Sequence, residues 1–281
     1  MCFLAYTYLK ITLLGGKMAE IKSYGTKFGF LSGSTLKLIA CIAMFIDHFG
    51  LMIYPDEIIF RAIGRLAFPI FAYFIAEGCR YTKNKLKHFM LVFGVGIIYL
   101  GFYYVFADTL YPSIFLTFSV SILLIYLLEY LKKIALDTPS ACKIIAAILV
   151  FAAALAVAYI PFHFVTFDYG YIGMLAPVLI SIFDFGKVDV PDKARRLDSY
   201  ALRLVILALM CVLLVMKKHD WCFNVFGISV PMQCCNLLAI PVLCLYNGKA
   251  GNKKLKYFFY AFYPLHLGVI MAIYIIIELL K

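Results

Sequence analysis

The chain has 281 residues and a formal net charge of +11; 65% of its residues are hydrophobic and 15% are charged. Soluble domains are roughly half apolar and a quarter charged, so this composition excludes an ordinary soluble protein. The apolar residues form recurring runs of about 20, long enough for a helix to cross a hydrocarbon core of about 30 Å. The runs do not alternate apolar and polar residues, which excludes a membrane barrel. The sequence therefore predicts an all-α, polytopic helical integral membrane protein.

The apolar runs predict about nine transmembrane helices in one domain, residues 35–281. The sixth and seventh runs are short, so the number is nine give or take one. The tail, residues 1–34, lacks the charged start and the small-residue cleavage site of a signal peptide, and Met18 is an alternative translation start. The predicted spans are 36–54, 58–78, 88–107, 112–131, 141–162, 171–185, 201–216, 228–246 and 257–279.

The first predicted span carries an Asp-His pair near the end of the run LKLIACIAMFIDHFG. Lys37 and His48 have ten residues between them. They therefore lie within about 20° of one another around the helix and about 16 Å apart along it. Asp47 points to a neighbouring face, so we expect it to orient a neighbouring group. Histidine is the side chain best suited to acid–base chemistry near neutral pH, which makes His48 the candidate general base.

The second predicted span places three more ionisable residues in the run FRAIGRLAFPIFAYFIAEG. Arg61 and Arg65 lie one helical turn apart, and Glu77 lies near the other end of the span. An arginine inside a membrane is costly unless it faces protein or water, so the two arginines predict a polar cavity. Two simpler interpretations stay open. Arg61 can extend to the lipid headgroups, and Asp47 can simply neutralise Arg65.

Two later stretches add candidate polar groups. Asp168 lies in TFDYGYIGMLAP, where a carboxylate is either solvated or part of a site. His266 and Tyr263 lie in the last span, in the run YFFYAFYPLHLGVI, which is also what an interfacial aromatic belt contains. We expect His48, Arg65 and His266 to line one cavity, because an interior cavity is the least costly location for them in lipid.

The distribution of lysine and arginine predicts the orientation. With the N-terminus in the cytoplasm, twenty cations fall on the cytoplasmic side, three fall outside and three are assigned to spans. The twenty include Arg80, and also Lys143 and Arg203, which lie at the cytoplasmic ends of their spans. Short cytoplasmic loops are rich in these residues, so the N-terminus is predicted inside and the C-terminus outside a cell (cytoplasmic or inner) membrane. The positive charge is a topology signal that also attracts anionic lipid, and it needs no nucleic acid as a partner. A site for an anionic cytosolic cosubstrate is the alternative explanation.

Four stretches together resemble the TraX family, membrane proteins associated with acetylation of conjugative pilin. They are LKLIACIAMFIDHFG, GRLAFPIFAYFIAEG, DYGYIG and YAFYPLHL, and the resemblance covers about residues 35–275. The family is similar to a larger group of integral-membrane acyltransferases, whose signature is a basic residue, ten residues and then a histidine on the first helix. Lys37 and His48 fit that spacing, with lysine where arginine is common.

The resemblance implies transfer of an acetyl group from cytosolic acetyl-coenzyme A, a cosubstrate, with no permanently bound cofactor or metal. The acceptor would be an amine or hydroxyl, on a pilin-like peptide N-terminus or a cell-surface glycan. In this chemistry His48 is the general base, Asp47 orients a neighbouring group and Arg65 holds the developing negative charge. The residues expected to bind donor or acceptor are Lys37, Arg61, Glu77, Asp168, Tyr263 and His266.

Two other classes of function stay open. Intramembrane Asp, His and Arg also form proton relays, so a proton-coupled transporter or permease is one alternative, although the chain shows no inverted repeat. A structural membrane-assembly protein is the other. The sequence has no Gly-rich phosphate loop and no metal-type spacing of Cys with His, which argues against nucleotide hydrolysis and a metal centre.

Overall fold

A computed structural model describes residues 25–26, 28–107, 109, 111–137, 139–186, 190–217, 222–225 and 228–280. Within these residues the helices pack side by side, and six helical stretches are long and apolar enough to cross a membrane, with Ile58–Tyr81 counted as one. The predicted all-α, multi-pass membrane fold is confirmed. The expectation about the N-terminal tail and Met18 falls on residues 1–24, which lie outside the described residues.

The elements follow one another in an order close to that of the predicted spans. Three shorter apolar segments, at 170–180, 200–216 and 232–244, take the places of the sixth, seventh and eighth spans. A short antiparallel hairpin, β1 Cys222–Val225 and β2 Ile228–Pro231, lies before the last of these segments. The helices are α1 Gly33–Ile53, α2 Ile58–Gly64, α3 Ala67–Tyr81, α4 Lys85–Ala107, α5 Ile114–Asp137, α6 Ala141–Phe164, α7 Gly170–Ile180, α8 Asp192–Arg195, α9 Tyr200–Lys217, α10 Ala239–Cys244 and α11 Lys256–Leu279.

Helix α1 begins at a polar cap and buries one apolar face. The Ser32 side chain accepts a hydrogen bond from the backbone N–H of Thr35 at 3.3 Å, which satisfies one of the free donors of the first turn. Leu36, Ala40 and Ala43 are buried and recur at helical spacing. The small alanines allow neighbouring helices to approach α1 closely, as is typical of membrane bundles.

Helices α1 and α11 begin at the same end of the bundle and run in the same direction. The backbone N–H of Gly33 donates to the carbonyl of Lys249 at 2.8 Å, and that of Ser34 donates to the carbonyl of Ala250 at 3.0 Å. These bonds tie the start of α1 to the loop that precedes α11. Residues at similar depths in the two helices therefore lie side by side. We call this end of the bundle the Lys37 end.

The second predicted span is one helical stretch, Ile58–Tyr81, with a tighter turn inside it, where Arg65 and Leu66 keep helical dihedral angles. Helix α2 ends at Gly64 and α3 begins at Ala67, and the turn between them is closed by hydrogen bonds from Arg65 and Leu66 to the carbonyls three residues earlier. Gly64 lies against Asp47 of α1, so closely that a β-carbon at Gly64 would strike the Asp47 side chain. The glycine allows α2 to approach α1 closely, and Arg65 lies in the tighter turn next to it.

The eighth predicted span, 228–246, is not one regular helix. Its first residues belong to β2, and Met232–Leu238 forms a 3-10 helix before α10 begins at Ala239. Pro231 has no backbone N–H to offer a helix, which explains why the helix does not begin where the apolar run does. Asn236 is fully buried within the 3-10 segment, and its amide donates to the Gln233 side chain at 3.1 Å.

Candidate active site

A pair of histidines lies where α1 and α11 meet. The Nδ1 atom of His48 is 2.7 Å from the Nε2 atom of His266, and the two rings are nearly parallel. Helix α11 also holds His266 from one turn before it. The Phe262 ring stacks on His266 with centroids 4.9 Å apart, and the Phe262 carbonyl lies 2.9 Å from His266 Nδ1. His266 is 3% exposed, so its ring position is fixed by packing as well as by hydrogen bonds.

The contacts of His266 determine where the protons of the pair lie. The Phe262 carbonyl can only accept, so Nδ1 of His266 carries the hydrogen of that bond. In neutral His266 the Nε2 atom is then an acceptor, and Nδ1 of His48 donates to it. In neutral His48 the remaining nitrogen, Nε2, therefore carries a lone pair. The pair presents one oriented basic nitrogen.

An acidic residue and two arginines form an ion cluster next to the histidines. Asp47 lies 2.9 Å from Arg61 and 3.4 Å from Arg65, and all three side chains are mostly buried. Arg61 therefore pairs with Asp47 rather than only extending towards lipid headgroups, and Asp47 neutralises part of the arginine charge. His48 is in the electrostatic field of both arginines. Asp47 also contacts the Arg65 guanidinium, so Arg65 is the neighbouring group that it could orient.

Arg65 is held on one side and free on the other. Its Nε atom donates to the Arg61 carbonyl at 3.2 Å, and its Nη2 atom faces Asp47. Among the described residues its second terminal nitrogen, Nη1, has no hydrogen-bond partner. Asp168 and Tyr169 interact electrostatically with Arg65. The cluster thus reaches from α1 and α2 to the start of α7, and Arg65 has a donor to offer a ligand.

Tyr263 lines the site through its ring. It is 3% exposed and lies edge-on to His266, with centroids 5.6 Å apart. Its other neighbours are the rings of Tyr99 and Phe115, at 5.1 and 4.6 Å. Tyr263 therefore packs inside the bundle beside His266 and is not part of an interfacial belt. Tyr257 and Phe258, at the start of the same span, are exposed, as belt residues are.

Lys37 and Glu77 form a second polar region, at the Lys37 end. The Lys37 ammonium lies 4.9 Å from the Phe74 ring centroid and 5.9 Å from that of Phe259. Glu77 is 5% exposed and accepts hydrogen bonds from the Tyr246 hydroxyl at 3.0 and 3.1 Å. Lys37 and Glu77 interact electrostatically. These two predicted site residues lie apart from the histidines, about three helical turns along α1.

A buried ion network was missed by the sequence analysis. Arg80 and Arg203 both contact Asp184 and Asp198, and all four residues are at most 8% exposed. Lys132 donates to the carbonyls of Ser181 and Asp184 nearby. Both arginines were counted among the cations of the cytoplasmic connections, but the structure buries them between carboxylates. They are therefore not exposed charges that could attract a ligand.

The structure thus brings together six of the residues that the sequence singled out. One group contains His48, His266 and Tyr263, and the adjoining cluster contains Asp47, Arg61 and Arg65. Asp168 lies beside the cluster, whereas Lys37 and Glu77 belong to the other polar region. The sequence analysis overlooked Tyr169, although it lies within the quoted motif DYGYIG. A histidine pair with one buried member, His266, lies beside an arginine–aspartate cluster, which defines a multi-pass membrane protein with an internal polar site.

Comparison with known proteins narrows this class to a family. The family model described as TraX protein matches residues 32–274, and the chain belongs to the TraX family. The probable fimbrial assembly protein FimC, serogroup H1, of Dichelobacter nodosus is 26% identical over 258 residues, which are 86% of this chain and 95% of that protein. An uncharacterized protein of Rickettsia prowazekii (strain Madrid E) is 45% identical over 60 residues, only 21% of this chain and 23% of that protein. No solved structure matches the chain.

Proposed function

We propose that the chain is a membrane-embedded acetyltransferase that uses acetyl-coenzyme A and an amine or hydroxyl acceptor. The observation that carries this proposal is the orientation of His48. Its Nδ1 atom is bound to His266, which is itself fixed by the Phe262 carbonyl, so that Nε2 of neutral His48 is a free base. An oriented imidazole with one free nitrogen is the arrangement that general-base catalysis requires.

The proposed reaction begins when His48 Nε2 takes the proton of the acceptor. The acceptor nitrogen or oxygen attacks the thioester carbonyl carbon, and the C=O π electrons move onto oxygen. When the tetrahedral intermediate collapses, the C–S bond breaks and the coenzyme thiolate takes the proton back from His48. His266 supports the intermediate state, because its Nε2 accepts a stronger hydrogen bond from the imidazolium form of His48.

Arg65 is the proposed group that stabilises the oxyanion. Its Nη1 atom is not used by the described protein, and Asp47 and the Arg61 carbonyl hold the rest of the guanidinium in place. A donor that is already oriented stabilises developing charge without reorganising during the reaction. Tyr263 and Asp168 would form the walls around the acceptor, and Arg61 would fix Asp47.

The donor is proposed to reach His48 from the Lys37 end. Coenzyme A is a polyanion that is kept in the cytosol, and the cation distribution predicts that this end faces the cytoplasm of an inner membrane. Lys37 lies about 16 Å from His48 along α1, so it suits the phosphate end of the pantetheine arm. Glu77 would hold Lys37 in this region. Arg80 is buried, so Lys37 and the exposed Lys254 are the cations proposed to meet the donor at this end.

The acceptor is proposed to be the N-terminal amine of a pilin-like peptide. The similarity to a probable fimbrial assembly protein, which covers 86% of this chain, supports an acceptor that is a subunit of a surface fibre. A hydroxyl of a cell-surface glycan is the alternative acceptor. Either would approach His48 from the side of the Asp47 cluster or laterally from the bilayer.

The test uses purified protein in bilayer discs with labelled acetyl-coenzyme A and a synthetic peptide that has a free α-amine. We expect His48→Gln to abolish both release of coenzyme A and labelling of the peptide. His163→Gln is the matched control, because His163 is exposed on α6 and far from the pair in sequence. Full activity of His48→Gln would refute the mechanism.

A proton-coupled transporter is the second candidate. The 3-10 segment Met232–Leu238 favours it, because discontinuous membrane helices form ion and substrate sites in transporters. Uptake into sealed vesicles without any label transfer would favour this function. Label on an acceptor, dependent on His48, would favour acetyl transfer.

A further inference from the structure

Tyr169 has an unusual backbone conformation for its residue type. Among the described residues it is the one non-glycine residue with positive φ, at 57°. Only a few per cent of non-glycine residues adopt this left-handed region, and a bulky residue there is strained. Gly170, which follows, has φ 56° and bears no such cost. A side chain is therefore kept at a position where glycine would fit the backbone more easily.

The surroundings fix Tyr169 in this conformation. Its ring stacks on Phe68 of α3, with centroids 4.0 Å apart and planes 13° apart. Its carbonyl accepts from the N–H of Gly173 at 3.1 Å, and a β-carbon at Gly173 would strike the Tyr169 side chain. Just before it, Asp168 is anchored through its backbone to Pro112 and to the Thr117 hydroxyl. The ring is therefore held rigidly, and its hydroxyl has a defined position.

The position of the hydroxyl connects Tyr169 to the ion cluster. Tyr169 interacts electrostatically with Arg65, Asp168, Asp47 and Arg61. Within the part of the chain that the structure describes, its phenolic O–H has no hydrogen-bond partner. Packing on Phe68 explains the ring, and a phenylalanine would pack equally well. Packing does not explain the Tyr169 hydroxyl, which has no hydrogen-bond partner among the described residues. The hydroxyl belongs to the same ion cluster as Arg65, whose Nη1 also has no partner there.

We propose that Tyr169 is a further catalytic residue, whose hydroxyl donates a hydrogen bond to the thioester oxygen as that oxygen becomes an oxyanion. This inference rests on the acetyl transfer proposed above. Tyr169 and Arg65 would supply two donors from different helices to the same oxygen. The phenolic proton stays on Tyr169 throughout, since His48 takes the acceptor proton and returns it to the leaving thiolate. The strain at Tyr169 is then the cost of fixing a donor before the charge develops.

The test is Tyr169→Phe, which keeps the ring and removes only the hydroxyl. Loss of one oxyanion donor typically lowers kcat by about 10²–10³-fold. We expect a fall of about 100-fold in kcat for transfer from acetyl-coenzyme A to the α-amine peptide, with KM for the donor unchanged. Tyr171→Phe is the matched control, because Tyr171 lies two residues further on and its hydroxyl donates to the Leu155 carbonyl instead.

Three outcomes decide the matter. A large loss of kcat in Tyr169→Phe, with wild-type activity in Tyr171→Phe and equal thermal stability, supports the inference. Wild-type kcat in Tyr169→Phe overturns it, and if His48→Gln is inactive in the same assay the proposed acetyl transfer still stands. No transfer by the wild-type protein to the peptide or to a glycan acceptor overturns both proposals.

Discussion

Replacing His266 tests how the histidine pair works. In His266→Leu the Nδ1–H of His48 loses its acceptor, and the Phe262 carbonyl loses its donor. Hydrogen bonds to charged groups contribute about 1.5–3 kcal/mol. The bond from His48 to His266 is expected to be strongest when His48 is an imidazolium. At about 1.36 kcal/mol for each factor of ten, its loss corresponds to a fall in kcat of about 10- to 150-fold.

A second substitution at the same position separates the hydrogen bond from packing. In His266→Gln the side-chain carbonyl can still accept from His48, so this variant should retain more activity than His266→Leu. The assay is the initial rate of coenzyme A release by protein in bilayer discs, at saturating acetyl-coenzyme A and peptide. Thermal stability of each variant is measured in parallel. Equal rates for wild type and His266→Leu would refute the idea that His266 orients His48.

Three further predictions concern other parts of the molecule. Lys37→Met should raise KM for acetyl-coenzyme A by about 10- to 150-fold, because a charge-assisted hydrogen bond to the donor is lost, and should leave kcat nearly unchanged. Lys254→Met is the control, and because Lys254 is exposed its effect on KM should be much smaller. Gly64→Ala should lower the free energy of unfolding by about 1–3 kcal/mol and also reduce kcat, because the new β-carbon overpacks against Asp47. An unchanged melting temperature would contradict the close approach of α2 to α1. Asp184→Asn should lower the free energy of unfolding by about 3–5 kcal/mol, because the buried charges of Arg80 and Arg203 lose one of their carboxylate partners. Wild-type stability in a thermal unfolding assay would show that the ion network is dispensable.

The regular parts of the fold follow from the sequence because their cause is local. A hydrocarbon core requires about 20 apolar residues in a helix, and this requirement alone finds α1, α4, α5, α6 and α11. Helical periodicity also places Lys37 and His48 on one face. The meeting of His48 with His266 does not follow from spacing, but it follows from the cost of leaving ionisable groups in lipid.

The irregular parts depend on contacts between distant segments, which hydropathy does not record. Gly64 is needed because Asp47 on another helix leaves no room for a β-carbon at that position. Counting charges placed Arg203 in a cytoplasmic connection, but its carboxylate partners Asp184 and Asp198 are what bury it. Tyr169 was overlooked because its left-handed backbone cannot be read from residue type. A tyrosine before a glycine is ordinary in sequence and unusual only in conformation.

The most direct test of acetyl transfer at His48 is to supply the donor to one face of a sealed vesicle at a time. Vesicles of both orientations, carrying wild-type protein or His48→Gln, are given labelled acetyl-coenzyme A outside, with the α-amine peptide present on both faces. The account predicts label on the peptide only for wild-type vesicles whose Lys37 end faces the added donor. Equal labelling in both orientations, or labelling by His48→Gln, would contradict it.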